Sequence, residues 1–132
     1  MKRLAIDVQP GVYAVAKLDP GAPVPPGLFS PGAGGFVSVT RTTEELSVIC
    51  PESEAPAGAA VEAGWRLLTV RGPLAFTLTG IMAALANELA AAGIALFALS
   101  TFDTDHVLVK AADLPRAAAT LRAAGHEVSL PA

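Results

Sequence analysis

The residues of this 132-residue chain with the most chemistry in them fall in two short segments. One is Ser100-Thr101-Phe102-Asp103-Thr104-Asp105, where five hydrogen-bonding side chains surround a single phenylalanine. Asp, Ser and Thr favour turns by bonding their own backbone, and that accounts for Asp103. It accounts less well for Asp105, which opens an apolar strand and can aim a carboxylate at a neighbouring element. The other segment runs from Gly72 to Ile81 and leads through Thr79 and Gly80 into a helix. The first N–H groups of a helix have no partner within it and attract carboxylates. Together the two segments could hold both ends of a zwitterion, with the helix amides on its carboxylate and Asp105 on its ammonium.

Other reactive side chains read as structural. Cys50 is the single cysteine, stands among strand residues and fits a small buried core position. One thiol makes neither an internal disulfide nor a soft-metal site. His106 and His126 have no carboxylate–histidine pairing pattern around them, and each is expected to cap or line a strand edge. Glu44-Glu45 and Glu52/Glu54 read as solvated charge rather than an acid–base pair. Arg71 and Gly72 follow a strand as a phosphate cradle would, but no nucleophile-orienting amide lies near them in the sequence. No cofactor and no metal are expected.

Positioning these segments requires a fold, and the second half of the chain reads clearly. A strand is expected from Trp65 to Val70, ended by Arg71-Gly72-Pro73. Ile81, Leu85, Leu89 and Ala92 recur at helical spacing, with Gly93 just past the end as a left-handed cap. Ile94 to Leu99 is nearly all apolar and is expected to be a central buried strand. After the polar turn, His106 to Lys110 returns as a strand. Asp113 is expected to cap a second helix with Pro115 in its first turn and a stripe of Leu114, Ala117, Leu121 and Ala124. Gly125 stops this helix, and His126 to Leu130 closes the series. The order is β-α-β-β-α-β over residues 65–130, an α+β, ferredoxin-like arrangement of an antiparallel sheet with two helices on one face.

The first half reads as strands at Arg3–Val8, Val12–Leu18, Phe36–Thr40 and Leu46–Cys50. Between Asp19 and Gly35, five prolines and five glycines leave room for no more than a short helical turn. Thr42-Thr43-Glu44-Glu45 resembles the start of a one-turn helix. Residues 51–64 carry Pro, Ala, Gly and Glu without apolar periodicity and read as a linker. This half looks like a degenerate, helix-poor relative of the other, giving an N-terminal half at 1–60 and a C-terminal domain at 61–132.

Composition narrows the partners. Hydrophobic residues make up 52% and charged residues 16%, which excludes a disordered or solvating chain. A net charge of −3 with scattered Lys and Arg argues against nucleic acid, whose binding rests on clustered cations. Base-stacking aromatics are also missing from the expected central strands. No run reaches the roughly 18 uninterrupted apolar residues of a membrane span. Asp7, Gln9 and Pro10 spoil any signal peptide after Met1-Lys2-Arg3, so a cytoplasmic location is expected.

The same residues carry a family resemblance. Leu74-Ala75-Phe76, Gly80-Ile81, the run 89–94, and Ser100-Thr101-Phe102 through Asp105-His106-Val107-Leu108-Val109 look like ACT domains of the CASTOR type, which include cytosolic arginine sensors and short bacterial proteins related to aspartate kinase. Phe36 to Thr42 and Glu45 to Val48 resemble the companion ACT-like half of the bacterial members. The resemblance implies tandem ACT folds and a ligand, an amino acid or similar metabolite, bound where two ACT units meet. It places that ligand against Gly80, Ile81, Thr101, Phe102 and Asp105, with Thr79 beside them and Ser38-Val39 as the counterpart of a serine–valine pair from a neighbouring unit. Where the sensors have acidic residues before the glycine, this chain has Thr77, Leu78 and Thr79. That removes natural partners for a guanidinium and points to a neutral or smaller amino acid. The sensors hold four units in one chain; two units here imply a homodimer.

The expected role is therefore a non-catalytic regulatory protein that binds a small molecule. The rivals are an interaction module without a ligand and, last, a small enzyme using Asp105 as a base.

Overall fold

Leu4, Ile6 and Val8 are buried and alternate with half-exposed neighbours, a period of two that makes β1 (Ala5–Val8) a strand with one core face. The computed structural model describes residues 3–30, 35–75 and 79–131. Within them the chain forms two compact units: Met1–Pro10 together with Arg66–Ala132, and Gly11–Trp65. The first is called the helical unit here, the second the inserted unit.

In the helical unit, β1 is followed by the second half of β5 (Ala60–Val70), α1 (Ile81–Ala91), β6 (Leu96–Ser100), β7 (Asp105–Lys110), α2 (Leu114–Ala123) and β8 (Glu127–Ser129). From β5 onward this is the expected βαββαβ order. The strands lie in the order β6-β7-β5-β1-β8. β1 runs antiparallel to β5 and parallel to β8, with Ile6 opposite both Val70 and Val128. The expected division had placed β1 in the N-terminal half; it packs instead between β5 and β8. His126 joins this seam, because its Nδ1 accepts the Leu4 N–H at 3.1 Å. It is buried rather than lining an edge.

One face of this sheet carries the core. Ile6 and Val8, Leu68 and Val70, Val107 and Val109, and Val128 pack against Ile81, Leu85 and Leu89 of α1 and Leu114, Ala117, Ala118 and Leu121 of α2. Ile81, Leu85 and Leu89, and Leu114, Ala117 and Leu121, are thus buried as their spacing predicted, while Ala92 and Ala124 are half-buried at the helix ends. Gly93 and Gly125 take positive φ just beyond the helix ends, as left-handed caps do. Asp113 precedes α2 but forms no side-chain cap, because its carboxylate pairs with Arg116 at 3.2 Å.

β6 corrects an expectation. Among the described residues it pairs with β7 alone and forms an edge, with Phe97, Ala98 and Ser100 exposed. Ile94 is buried but precedes the strand. An apolar run reads as central from composition alone, yet the second strand of a βαββαβ unit is turned to the outside by the order of its connections.

The inserted unit contains β2 (Tyr13–Leu18), β3 (Ser38–Arg41), β4 (Leu46–Pro51) and the first half of β5, in the order β3-β4-β2-β5 with every pair antiparallel. No α-helix occurs among its described residues. Leu46, Val48, Cys50, Ala16 and Leu28 form its core, and burial pushes the Cys50 thiol up, away from reactivity. The Arg41 guanidinium donates to the carbonyls of Pro20 and Ala22, fastening the proline-rich segment. The expected helix start at Thr42 is a turn, in which Thr42 Oγ1 accepts the N–H groups of Glu44 and Glu45 at 3.1 Å. The expected 51–64 linker is partly ordered pairing: Ala60, Val61 and Glu62 of β5 lie opposite Lys17, Ala16 and Val15.

Candidate functional site

Strand alternation settles where Asp105 points. Val107 and Val109 face the helices, so Asp105, two residues earlier on β7, lies on that same face. Ser100 is its cross-strand partner and donates to Asp105 Oδ1 at 2.5 Å. On the helix side, Gly80 precedes α1 with φ 80° and ψ 1°, a left-handed conformation that costs little without a Cβ. Gly80 has no side chain with which to cap α1. The first-turn amides of a helix have no partner within it.

Between these elements lies a cavity of about 380 Å³. Gly80, Ile81 and Met82 line it from the helix, Ser100 through Asp105 from the turn, and Leu74 and Ala75 from the loop before α1. Of the residues singled out in the sequence, Gly80, Ile81, Thr101, Phe102 and Asp105 thus come together. Thr79 is exposed beside Gly80 and outside the lining. Ser38 and Val39 lie on β3 of the inserted unit and are not among the lining residues. Phe76, Thr77 and Leu78 lie outside the described residues. Phe102 is 78% exposed at the rim.

The two walls are bonded to each other. Leu74 N–H donates to the Asp103 carbonyl at 2.6 Å, and Thr104 Oγ1 donates to the Val70 carbonyl at 2.5 Å. Gly72 allows this approach: a Cβ there would stand 3.0 Å from the Asp103 carbonyl oxygen. The turn closes on itself through Thr101 N–H to the Thr104 carbonyl at 2.8 Å.

His106 is the residue sequence reasoning undervalued. It is buried in β7 rather than at an edge, and its ring lies between two hydroxyls, Thr69 of β5 and Thr101 of the turn. Burial lowers its pKa below the ordinary value, against the opposing pull of Asp105. Its setting depends on Thr69, 37 positions earlier, and no local pattern announces such a partner. Elsewhere in this unit Arg71 grips Asp7 with two hydrogen bonds, at 2.6 and 3.1 Å, tying the loop's start to β1.

The family model "ACT domain" matches residues 60–123, the stretch from β5 into α2 that carries the cavity. A second model, of an N-terminal domain, matches residues 11–58. Residues 60–123 thus belong to the ACT domain family. The chain is similar over its whole length to protein Atu0741 from Agrobacterium tumefaciens, with 37% identity, a TM-score of 0.91 and 96% of that chain covered. VC0802 from Vibrio cholerae, a protein of unknown function, shares the fold at 21% identity and TM-score 0.70, over 91% of this chain and 88% of that one. The regulatory subunit of aspartate kinase from Thermus flavus does so at 11% identity and TM-score 0.61, over 94% and 97%. No curated protein matches the chain. No helix among the described residues is long and apolar enough to cross a membrane.

Proposed function

We propose that this chain is a non-catalytic regulatory protein that binds an amino acid with an uncharged side chain in the cavity before α1. The observation that carries the reading is the convergence of Gly80, Ile81, Thr101, Phe102 and Asp105, from segments some twenty residues apart, around one cavity. The α-carboxylate takes the first-turn amides of α1, and the ammonium takes Asp105. The ACT domain match over residues 60–123 supports the role. The lining supplies recognition groups: backbone amides, carboxylates, and a Thr101 hydroxyl already bonded within its own turn.

Charge sets the ligand class. Residues 72–82 carry no charged side chain, so Asp103 and Asp105 are the fixed charges of the two segments. A second carboxylate on the ligand would face these aspartates without a cation. Leu74, Ile81, Met82 and Phe102 offer an apolar surface to the rest of the molecule. A cytoplasmic location accompanies this reading.

The edge strand β6 supports a homodimer, because its outer backbone groups have no neighbouring strand within its unit. A second copy would also offer Ser38-Val39 to the site. Sedimentation at high micromolar concentration tests the assembly, and a monomer there would refute it.

Thermal-shift measurements with each of the twenty amino acids test binding. A bound ligand at a hundred times its Kd adds about 2.7 kcal/mol of stability. The expected result is a shift with one or more neutral amino acids and none with aspartate or glutamate. A panel without any shift would overturn the proposal and leave an interaction module.

A further inference from the structure

Hydrogen accounting around His106 fixes more than its burial. Thr69 Oγ1 lies 3.0 Å from the ring Nδ1, and Thr101 Oγ1 lies 3.1 Å from Nε2. Thr101 Oγ1 is also 3.2 Å from the Thr104 carbonyl, which can only accept. With the single hydroxyl proton of Thr101 on the Thr104 carbonyl, where it adds a second bond to the one from Thr101 N–H, its oxygen accepts from His106. That puts the ring proton on Nε2. Nδ1 is then the acceptor and takes the proton of Thr69. In the opposite tautomer the Nε2 lone pair would claim the Thr101 proton and leave the turn only its backbone bond to Thr104, from Thr101 N–H at 2.8 Å.

We propose that His106, as the Nε2–H tautomer, is the positioning residue of the cavity turn, and that its donation to Thr101 sets the affinity of the site. The chain Thr69–His106–Thr101–Thr104 ties the ligand-facing turn to β5 of the sheet. His106 is not among the cavity-lining residues and acts through Thr101. The affinity half of this statement rests on the binding reading above; the tautomer half does not.

Two substitutions separate the ring's two nitrogens. Glutamine reaches the Nε2 position and can donate to Thr101, whereas asparagine reaches only the Nδ1 position and can accept from Thr69. The first measurement is a long-range ¹H–¹⁵N NMR spectrum of the wild-type chain, expected to show the Nε2–H pattern at neutral pH. The second compares backbone amide shifts of residues 100–105 in His106→Gln and His106→Asn. The glutamine variant should keep them near wild type and the asparagine variant should displace them. The third measures the thermal shift given by an equimolar mixture of the twenty amino acids. His106→Gln should retain it, and His106→Asn should need about tenfold more of the mixture for the same shift, the worth of one good hydrogen bond. A ring proton on Nδ1, or equal effects of the two substitutions, would overturn the proposal. If the mixture fails to shift the wild-type chain, the binding reading falls, and the two NMR measurements still decide the role of His106 in holding the turn.

Discussion

Asp103 and Asp105 stand two residues apart in surroundings that give them different work. The carbonyl of Asp103 receives Leu74 N–H, which is turn construction, while the carboxylate of Asp105 lies on the helix-facing side of β7. Asp105→Asn should therefore keep the fold and weaken ligand binding by about thirtyfold. That is the low end of the range for a desolvated charge pair, because Asp105 is half-exposed and already accepts from Ser100. Asp103→Asn should change affinity little. Calorimetry with an amino acid found in the panel checks both, and a larger loss for Asp103→Asn would reverse the roles. Two other residues set a pH response. His106 has its folded pKa below the unfolded 6.5, so the unfolded chain takes the proton first. Its contribution is complete above about pH 6.5 and is lost as the pH falls through that value toward the folded pKa. Asp7 is lowered below 3.8, chiefly by its hydrogen bond from Arg71, and its contribution is lost in a separate, more acidic window. Thermal melts across pH should fall in two stages. His106→Gln should remove the first and Asp7→Asn the second, and a first stage that survives His106→Gln would contradict the assignment.

Elements position these residues through contacts that differ in how visible they are in the chain. Helices α1 and α2 were legible because Leu85, Leu89, Ala117 and Leu121 repeat every three or four residues, and because Gly93 and Gly125 mark the stops. The two segments that meet at the cavity were legible because a cluster of Ser, Thr and Asp marks a turn and Gly80 marks a helix start, although Thr101 and Thr104 also have structural bonds there. The start of β5 was not. Ala60 to Gly64 have no apolar pattern, and Ala60, Val61 and Glu62 are held by backbone pairing to β2, which leaves little trace in residue type. The position of β6 was misread because an exposed edge and a buried centre can share one composition. The loop between β5 and α1 depends on Gly72, where a Cβ would meet the Asp103 carbonyl at 3.0 Å and Thr104 Cβ at 3.2 Å. Gly72→Ala should cost roughly 1–3 kcal/mol, as overpacking does, and separate the two walls of the cavity. Urea denaturation checks this, and an unchanged midpoint would show that the loop yields freely.

At the scale of the whole chain, the helical unit is discontinuous: β1 comes from before the inserted unit and lies between β5 and β8. No local signal reveals that pairing, because Ala5 faces Glu127 across nearly the full sequence. A fragment of residues 60–132 would hold every βαββαβ element and still lack β1, leaving β5 and β8 without their shared neighbour and removing Leu4, Ile6 and Val8 from the core. Such a fragment should melt well below the full chain and recover when a peptide of residues 1–10 is added. An equally stable fragment would show that β5 and β8 can close on each other. The same placement has a consequence in time. β1 is made before the whole inserted unit and β8 well after it. At about 5–20 residues per second they become available on the order of ten seconds apart. For that interval a short apolar strand waits beside the growing chain, first for β5 and then for β8, so the nascent protein depends on whatever shields that strand until β8 emerges.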